Sequence, residues 1–215
     1  MRSLSAAPVL LNQLRGLNAV QRLDRHSRSI SMLAVVGWLI VSNAKVFGRP
    51  IGDSLDYRIV SMAAPRLPAQ EIGSAYSGRF ITHYVIGVLA DVSGSSLGLA
   101  YALGFIAVVG ALLITLHLLL CALPLPAYVL CVDVLVPSPY FIRPYLQDPG
   151  SLQDLVFVLG TALCLVALLR HRPALVLAGL AIALVGRQSA LLVAPVTAIW
   201  VIVDPDWRVN RHRRD

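Results

Sequence analysis

Residues 97–123 read LGLAYALGFIAVVGALLITLHLLLCAL, and only Thr115 and His117 interrupt the apolar run. An α-helix rises about 1.5 Å per residue, and about 20 apolar residues cross a bilayer core about 30 Å thick. This run is long enough to span a membrane, and Pro124-Leu125-Pro126 closes it with a tight turn. Toward the N-terminus lies a second apolar run, Ile30 to Phe47, polar only at Ser42, Asn43 and Lys45 near its end. Lys45 is placed to snorkel to the interface. Toward the C-terminus come a shorter run from Ala127 to Tyr140 containing Asp133, a span from Ser151 to Leu169, and an apolar stretch from Pro173 to Val203. That last stretch is too long for one span and breaks at Gly186-Arg187-Gln188, which predicts two short helices or a re-entrant pair. Ser151-Leu-Gln-Asp154 reads as a capping box, and Pro173 suits the first turn of a helix.

The fold class expected is therefore all-α, a polytopic transmembrane bundle of about six spans. Composition agrees. Of the 215 residues, 57% are hydrophobic and 13% charged, with a mean hydropathy of +0.75. Soluble domains run about 25% charged, so a soluble globular domain and a disordered chain are both excluded. The three cysteines, Cys121, Cys131 and Cys164, lie inside apolar runs without metal-ligand or disulfide spacing. Phosphate-loop, dinucleotide-binding and HExxH signatures are absent.

The net charge of +7 has two readings, nucleic-acid binding or the inner face of a membrane protein. The placement of the arginines decides. With a cytoplasmic N-terminus, residues 1–29 carry five arginines against one aspartate, and the 170–172 turn carries two arginines. The tail 204–215 has four arginines against three aspartates. All other basic and acidic residues balance at seven each, so the inner pieces hold the whole excess and nucleic acid is not needed as a partner. The expected organisation is a cytoplasmic segment 1–29, a membrane domain 30–203 with a first outer loop 48–95, and a basic cytoplasmic tail 204–215. Both termini lie inside, in a cell (inner) membrane. The segment 1–29 lacks the apolar core of a cleaved signal peptide, so the first span is expected to be an uncleaved anchor. Leu10, Leu14 and Leu17 against Arg15, Arg22 and Arg25 leave open a surface helix or a plain tail.

The first outer loop holds the chemistry. It opens Arg49-Pro-Ile-Gly-Asp53-Ser-Leu-Asp56-Tyr57-Arg58, and Leu55, Ile59 and Met62 follow at helical spacing. After Tyr76-Ser-Gly-Arg79-Phe80, residues Ile81, Tyr84, Val85, Val88 and Leu89 mark an amphipathic helix. Two helices along the outer membrane surface fit this pattern. Acids at the mouth of a membrane cavity can serve as a base or bind a metal; interfacial charge and helix capping explain them equally well.

Gly52-Asp53-Ser54 with Tyr57 just after the first span, then Tyr76-Ser-Gly-Arg79-Phe80 and an amphipathic helix, resembles the GT-C class of integral-membrane glycosyltransferases. The resemblance continues through Arg143-Pro-Tyr-Leu-Gln-Asp148 and Gly186-Arg187-Gln-Ser-Ala-Leu-Leu with Pro195, covering residues 30–200 through short motifs in order. It implies sugar transfer, with inversion, from a polyprenyl-phosphate donor to an outer-face acceptor. Asp53 would be the catalytic acid-base group, with Asp56 the second choice. A divalent metal is an optional cofactor there. Tyr57, Arg79 and Asp148 match further motif positions. Arg143 and Arg187 would hold the donor phosphate, because the guanidinium fork suits phosphate oxygens. The other readings stay open: Asp56 pairing with Arg58, Asp148 as a turn residue, Asp154 as a helix-start residue, Arg187 satisfying backbone at a break. His83 stands where relatives often have proline and receives no role. Members of the class are usually longer, which leaves a non-catalytic accessory subunit with a membrane protein partner as a second class of function. A small transporter is a third, without an evident inverted repeat to support it.

Overall fold

In the computed structural model, residues 23–39, 54–68, 80–135 and 151–204 are described, and all the regular elements among them are helical. The first is a helix over 23–39 (α1). Ser54–Ala63 (α2) and Ile81–Ser93 (α3) follow, then Leu97–Leu120 (α4). Leu125–Val129 (α5) continues as a π-helical turn over Leu130–Leu135. The remaining helices are Leu152–Leu169 (α6), Pro173–Gly186 (α7) and Val193–Val203 (α8), with a short 3₁₀ segment Gln188–Leu192 before α8. Two of these, α4 and α6, are long and apolar enough to cross a membrane.

Local chemistry sets the boundaries. Gly94, in the left-handed region at φ 63°, ends α3, and the amides of Gly94 and Ser95 return to the carbonyls of Asp91 and Ala90. The Ser96 hydroxyl then accepts from the Leu99 amide and starts α4. The stretch 173–203 divides at Arg187, whose extended backbone stops α7. The capping box expected at Ser151 does not form. Ser151 makes no side-chain cap bond at the start of α6, and the Asp154 carboxylate is drawn instead to Arg187 across the helix pair.

Helix α6 is the centre of the bundle, with eleven buried residues. It forms an antiparallel hairpin with α7 through Arg170-His171-Arg172, where His171 takes the left-handed conformation at φ 53°. The pair packs backbone to backbone. A Cβ on Gly179 would lie 2.8 Å from Cys164 N, one on Gly160 would meet Ala183 and Gly179, and one on Gly186 would meet Phe157 and Gln153. Such small-residue seams are the means by which membrane helices approach closely, since lipid leaves little hydrophobic force between them. Against the other face of α6, Leu152, Leu155 and Leu159 join a core with Leu112 and Leu113 of α4 and Val35 and Leu39 of α1.

Contacts define two ends. Arg28 of α1 donates to the carbonyls of Cys121 (2.6 Å) and Leu123 (2.9 Å) just past α4, and to Asp24 (2.9 Å). His171 and Asp204, after α8, approach to 3.9 Å. Helices α4 and α6 are bridged near their starts, at the opposite end, through His83, and so run parallel. One end thus gathers Arg25, Arg28, Arg170 and Arg172 against Asp24, Asp133 and Asp204, among the described residues. The other gathers Arg58, Arg66 and Arg187 against Asp56, Asp91 and Asp154.

Helix α3 turns its apolar stripe outward. In α3, Ile81, Val85, Leu89 and Val92 (80% exposed) face away from the protein, while Thr82, His83, Ile86, Gly87 and Ala90 are buried. In α2 the buried residues are Tyr57, Val60 and Ser61, and Met62 is exposed. Along α4, Leu99, Leu103, Ile106, Ile114 and Leu118 form one exposed line.

The glycine seam gives a direct test. Gly160→Ala should lower the thermal midpoint of the detergent-solubilised protein, by overpacking worth about 1–3 kcal/mol. Gly110→Ala, where a Cβ meets nothing within 4 Å, should leave it unchanged or raise it. Thermal melts of the two variants beside the parent decide.

Candidate functional site

At the end opposite the basic turn, four helices meet around one imidazole. Tyr57 and Ser61 sit four apart on one face of α2, His83 lies in the first turn of α3, Tyr101 in the second turn of α4, and Gln153 in the first turn of α6. His83 is 0% exposed, Tyr57 3% and Gln153 4%. The His83 Nδ1 is 2.7 Å from the Tyr101 hydroxyl, and its Nε2 is 2.7 Å from Gln153 Oε1. The Gln153 amide nitrogen donates to the Tyr57 hydroxyl at 2.6 Å. The Ser61 hydroxyl lies 2.7 Å from the Tyr101 oxygen and 2.9 Å from the carbonyls of Tyr57 and His83. Tyr57 also stacks on the imidazole, with ring centroids 4.1 Å apart. Gly87 makes this possible, since a Cβ there would strike the Ser61 carbonyl and Ala64 and drive α3 off α2.

The hydrogen-bond partners fix the tautomer. Gln153 donates from nitrogen to Tyr57, so its carbonyl oxygen faces His83 and must receive a proton from Nε2. Nδ1 is then the acceptor, and the Tyr101 hydroxyl supplies its proton. A neutral imidazole satisfies both contacts at once. Burial reinforces this: loss of hydration lowers the His83 pKa from the usual 6.5 to about 4, against a smaller raising effect of the Gln153 hydrogen bond.

The neighbouring residue on α6, Asp154, holds Arg187 in an ion pair through the guanidinium Nε. The Arg187 side chain is 34% exposed, and among the described residues its terminal Nη groups make no hydrogen bond. Tyr57 and Arg187 are therefore brought to the same place, through the consecutive residues Gln153 and Asp154. Asp56 precedes Tyr57 in the first turn of α2, where a carboxylate suits the helix dipole. It forms no ion pair with Arg58, because residues two apart on a helix point to different sides. Asp53, Arg79, Arg143 and Asp148 lie outside the described residues. Among the described residues no three His, Cys, Asp or Glu side chains group as a metal site would need.

Asp133, conspicuous in an apolar run, accepts a 2.6 Å hydrogen bond from Ser31 of α1. Sequence reasoning passed over His83, Ser61, Tyr101 and Gln153. A usable signal was present, since His83 lies across the helix from the apolar stripe of α3, and that polar face is the packed one.

The buried imidazole predicts a pH dependence. Above about pH 6.5 His83 is neutral folded or unfolded; below it the unfolded chain binds the proton more readily. Stability should therefore fall as pH drops from about 6.5 toward 4, by up to about 3 kcal/mol. Denaturation curves across this range should show a weaker acid-side loss in His83→Gln than in the parent.

Comparison of the chain with protein-family models, curated proteins and solved structures gave no match.

Proposed function

We propose that this chain is a multi-pass protein of the cell (inner) membrane, with about six helical passes and both termini on the cytoplasmic side. In this reading the basic end faces inward and the His83 end faces outward. The outward apolar lines of α3 and α4 support it, since lipid is the solvent in which such surfaces are stable. The charge division between the two ends agrees with the positive-inside pattern.

At the outer end we propose a glycosyl-transfer site of the GT-C kind. The observation that carries this reading is Arg187. Asp154 engages its Nε and leaves the Nη fork open, beside the start of α6 and one residue from the Tyr57–Gln153 contact. A guanidinium fixed at one nitrogen and open at two suits the two oxygens of a phosphate. Asp53, immediately before α2, is then the group that takes the proton from the acceptor hydroxyl. The acceptor oxygen attacks the anomeric carbon from the face opposite the leaving polyprenyl phosphate, so configuration inverts. Arg187, with Arg79 and Arg143 as further candidates, offsets the charge that collects on the departing phosphate. Tyr57 and the buried network hold α2, and with it Asp56, against the start of α6. Asp148 remains the candidate second acid.

A non-catalytic accessory role is the second reading. It is favoured by the same ion pair, because Asp154 already compensates the charge of Arg187. Binding of a polyprenyl-phosphate sugar by the purified protein with no partner present would count against it.

The catalytic reading predicts that Asp53→Asn lowers transfer at least about 100-fold, the usual scale for loss of a general base. The measurement uses membranes supplied with a panel of labelled polyprenyl-phosphate hexoses. Transfer at the parental rate would remove Asp53 as the base.

A further inference from the structure

The basic end carries a second constellation, which the reading above does not use. His117 and Cys121 are four apart at the end of α4, with the Cys121 sulfur 3.4 Å from His117 Nε2. His117 Nδ1 lies 2.7 Å from the hydroxyl of Tyr128, a fully buried residue of α5. The Tyr128 hydroxyl in turn donates to the Arg28 carbonyl at 3.5 Å. These contacts hold the imidazole in place. In the tautomer whose Nδ1–H donates to the Tyr128 oxygen, the Nε2 lone pair faces the Cys121 thiol. A nucleophile within reach of a base, which a third group orients, is the arrangement that activates a weak nucleophile.

Two further features point to the reagent. Cys121 is exposed, whereas Cys131 is half-buried and Cys164 buried. Cys121 stands eighteen residues after Leu103, five helical turns, and seven after Ile114. The thiol therefore terminates the exposed apolar line of α4. A long alkyl chain attached there would lie along Leu118 and Ile114. A carbonyl-rich helix end would ordinarily oppose a negative sulfur. Here the Arg28 guanidinium, donating to the carbonyls of Cys121 and Leu123, offsets that field.

We propose that Cys121 is an S-acylation site that takes a long-chain acyl group from an acyl thioester, with His117 as base and Tyr128 as positioning residue. His117 Nε2 accepts the thiol proton as the Cys121 sulfur bonds to the acyl carbon. The bond from that carbon to the carrier sulfur then breaks, and the proton passes to the departing thiolate. One thioester is exchanged for another, with neither oxidant nor reductant. The proposal rests on the membrane reading of α4.

The test uses the full chain in lipid nanodiscs, with palmitoyl-coenzyme A as the probe. Failure of the chain to enter nanodiscs would count against the membrane reading itself. For inserted protein the expected result is a mass gain of one acyl group on Cys121. Hydroxylamine should release it, and Cys121→Ser should not acquire it. His117→Gln should slow the reaction about 100-fold. Tyr128→Phe, which keeps the packed ring, should alter the pH profile of the rate while helix content stays at the parental level. Acylation equal at Cys131, a rate unchanged by His117→Gln, or no acylation of inserted protein would overturn the proposal.

Discussion

One buried imidazole sets the geometry of the end where the first loop meets the bundle. In an interior without water, every polar group must find a partner or cost several kcal/mol. His83 can be satisfied only if Tyr101 of α4 and Gln153 of α6 both come within hydrogen-bond distance, and only if it stays neutral. Meeting that condition brings the starts of two parallel helices together. The same arrangement engages Tyr57 and Ser61, so α2 cannot leave without uncovering a chain of unpaired groups. A polar network of this kind contributes specificity more than net stability, because each member constrains its neighbours.

Around that point the packing follows two rules. Where helix backbones must approach, as between α6 and α7, glycine and alanine remove the side chains. Where helices face outward, large apolar residues cover them. The seam explains how α7, only 14 residues long, is held along its length by α6. The hairpin places Arg187 beside Asp154, so the break in the long C-terminal apolar stretch falls where the first loop is anchored.

Much of this was legible in the sequence. The run 97–123 and the span ending at Leu169 appear as α4 and α6, and the break at Gly186-Arg187-Gln188 falls where the spacing placed it. The helices of the first loop were legible too, as helices expected to lie along a membrane surface, but the partners of their other faces were not. Periodicity reports which face is apolar; it does not report what the polar face packs against. Residues Ile81, Val85 and Leu89 face outward, and the packed face is the one bearing Thr82 and His83. The site was legible in part. Tyr57 and Arg187 were marked as motif positions, yet the residues that join them, Gln153 and Asp154, read only as the opening of a helix. Long-range partners such as these are set by tertiary approach, which local spacing does not encode.

The central claim is that the two ends of the bundle lie on opposite sides of a membrane. Single cysteines at Arg66, beside the His83 network, and at His171, in the basic turn, test it in a background lacking the three native cysteines. Intact cells are treated with a membrane-impermeant maleimide before and after permeabilisation. The account predicts that Arg66→Cys labels from outside the cell, whereas His171→Cys labels only once the membrane is opened. Labelling of both positions from the same side would contradict it.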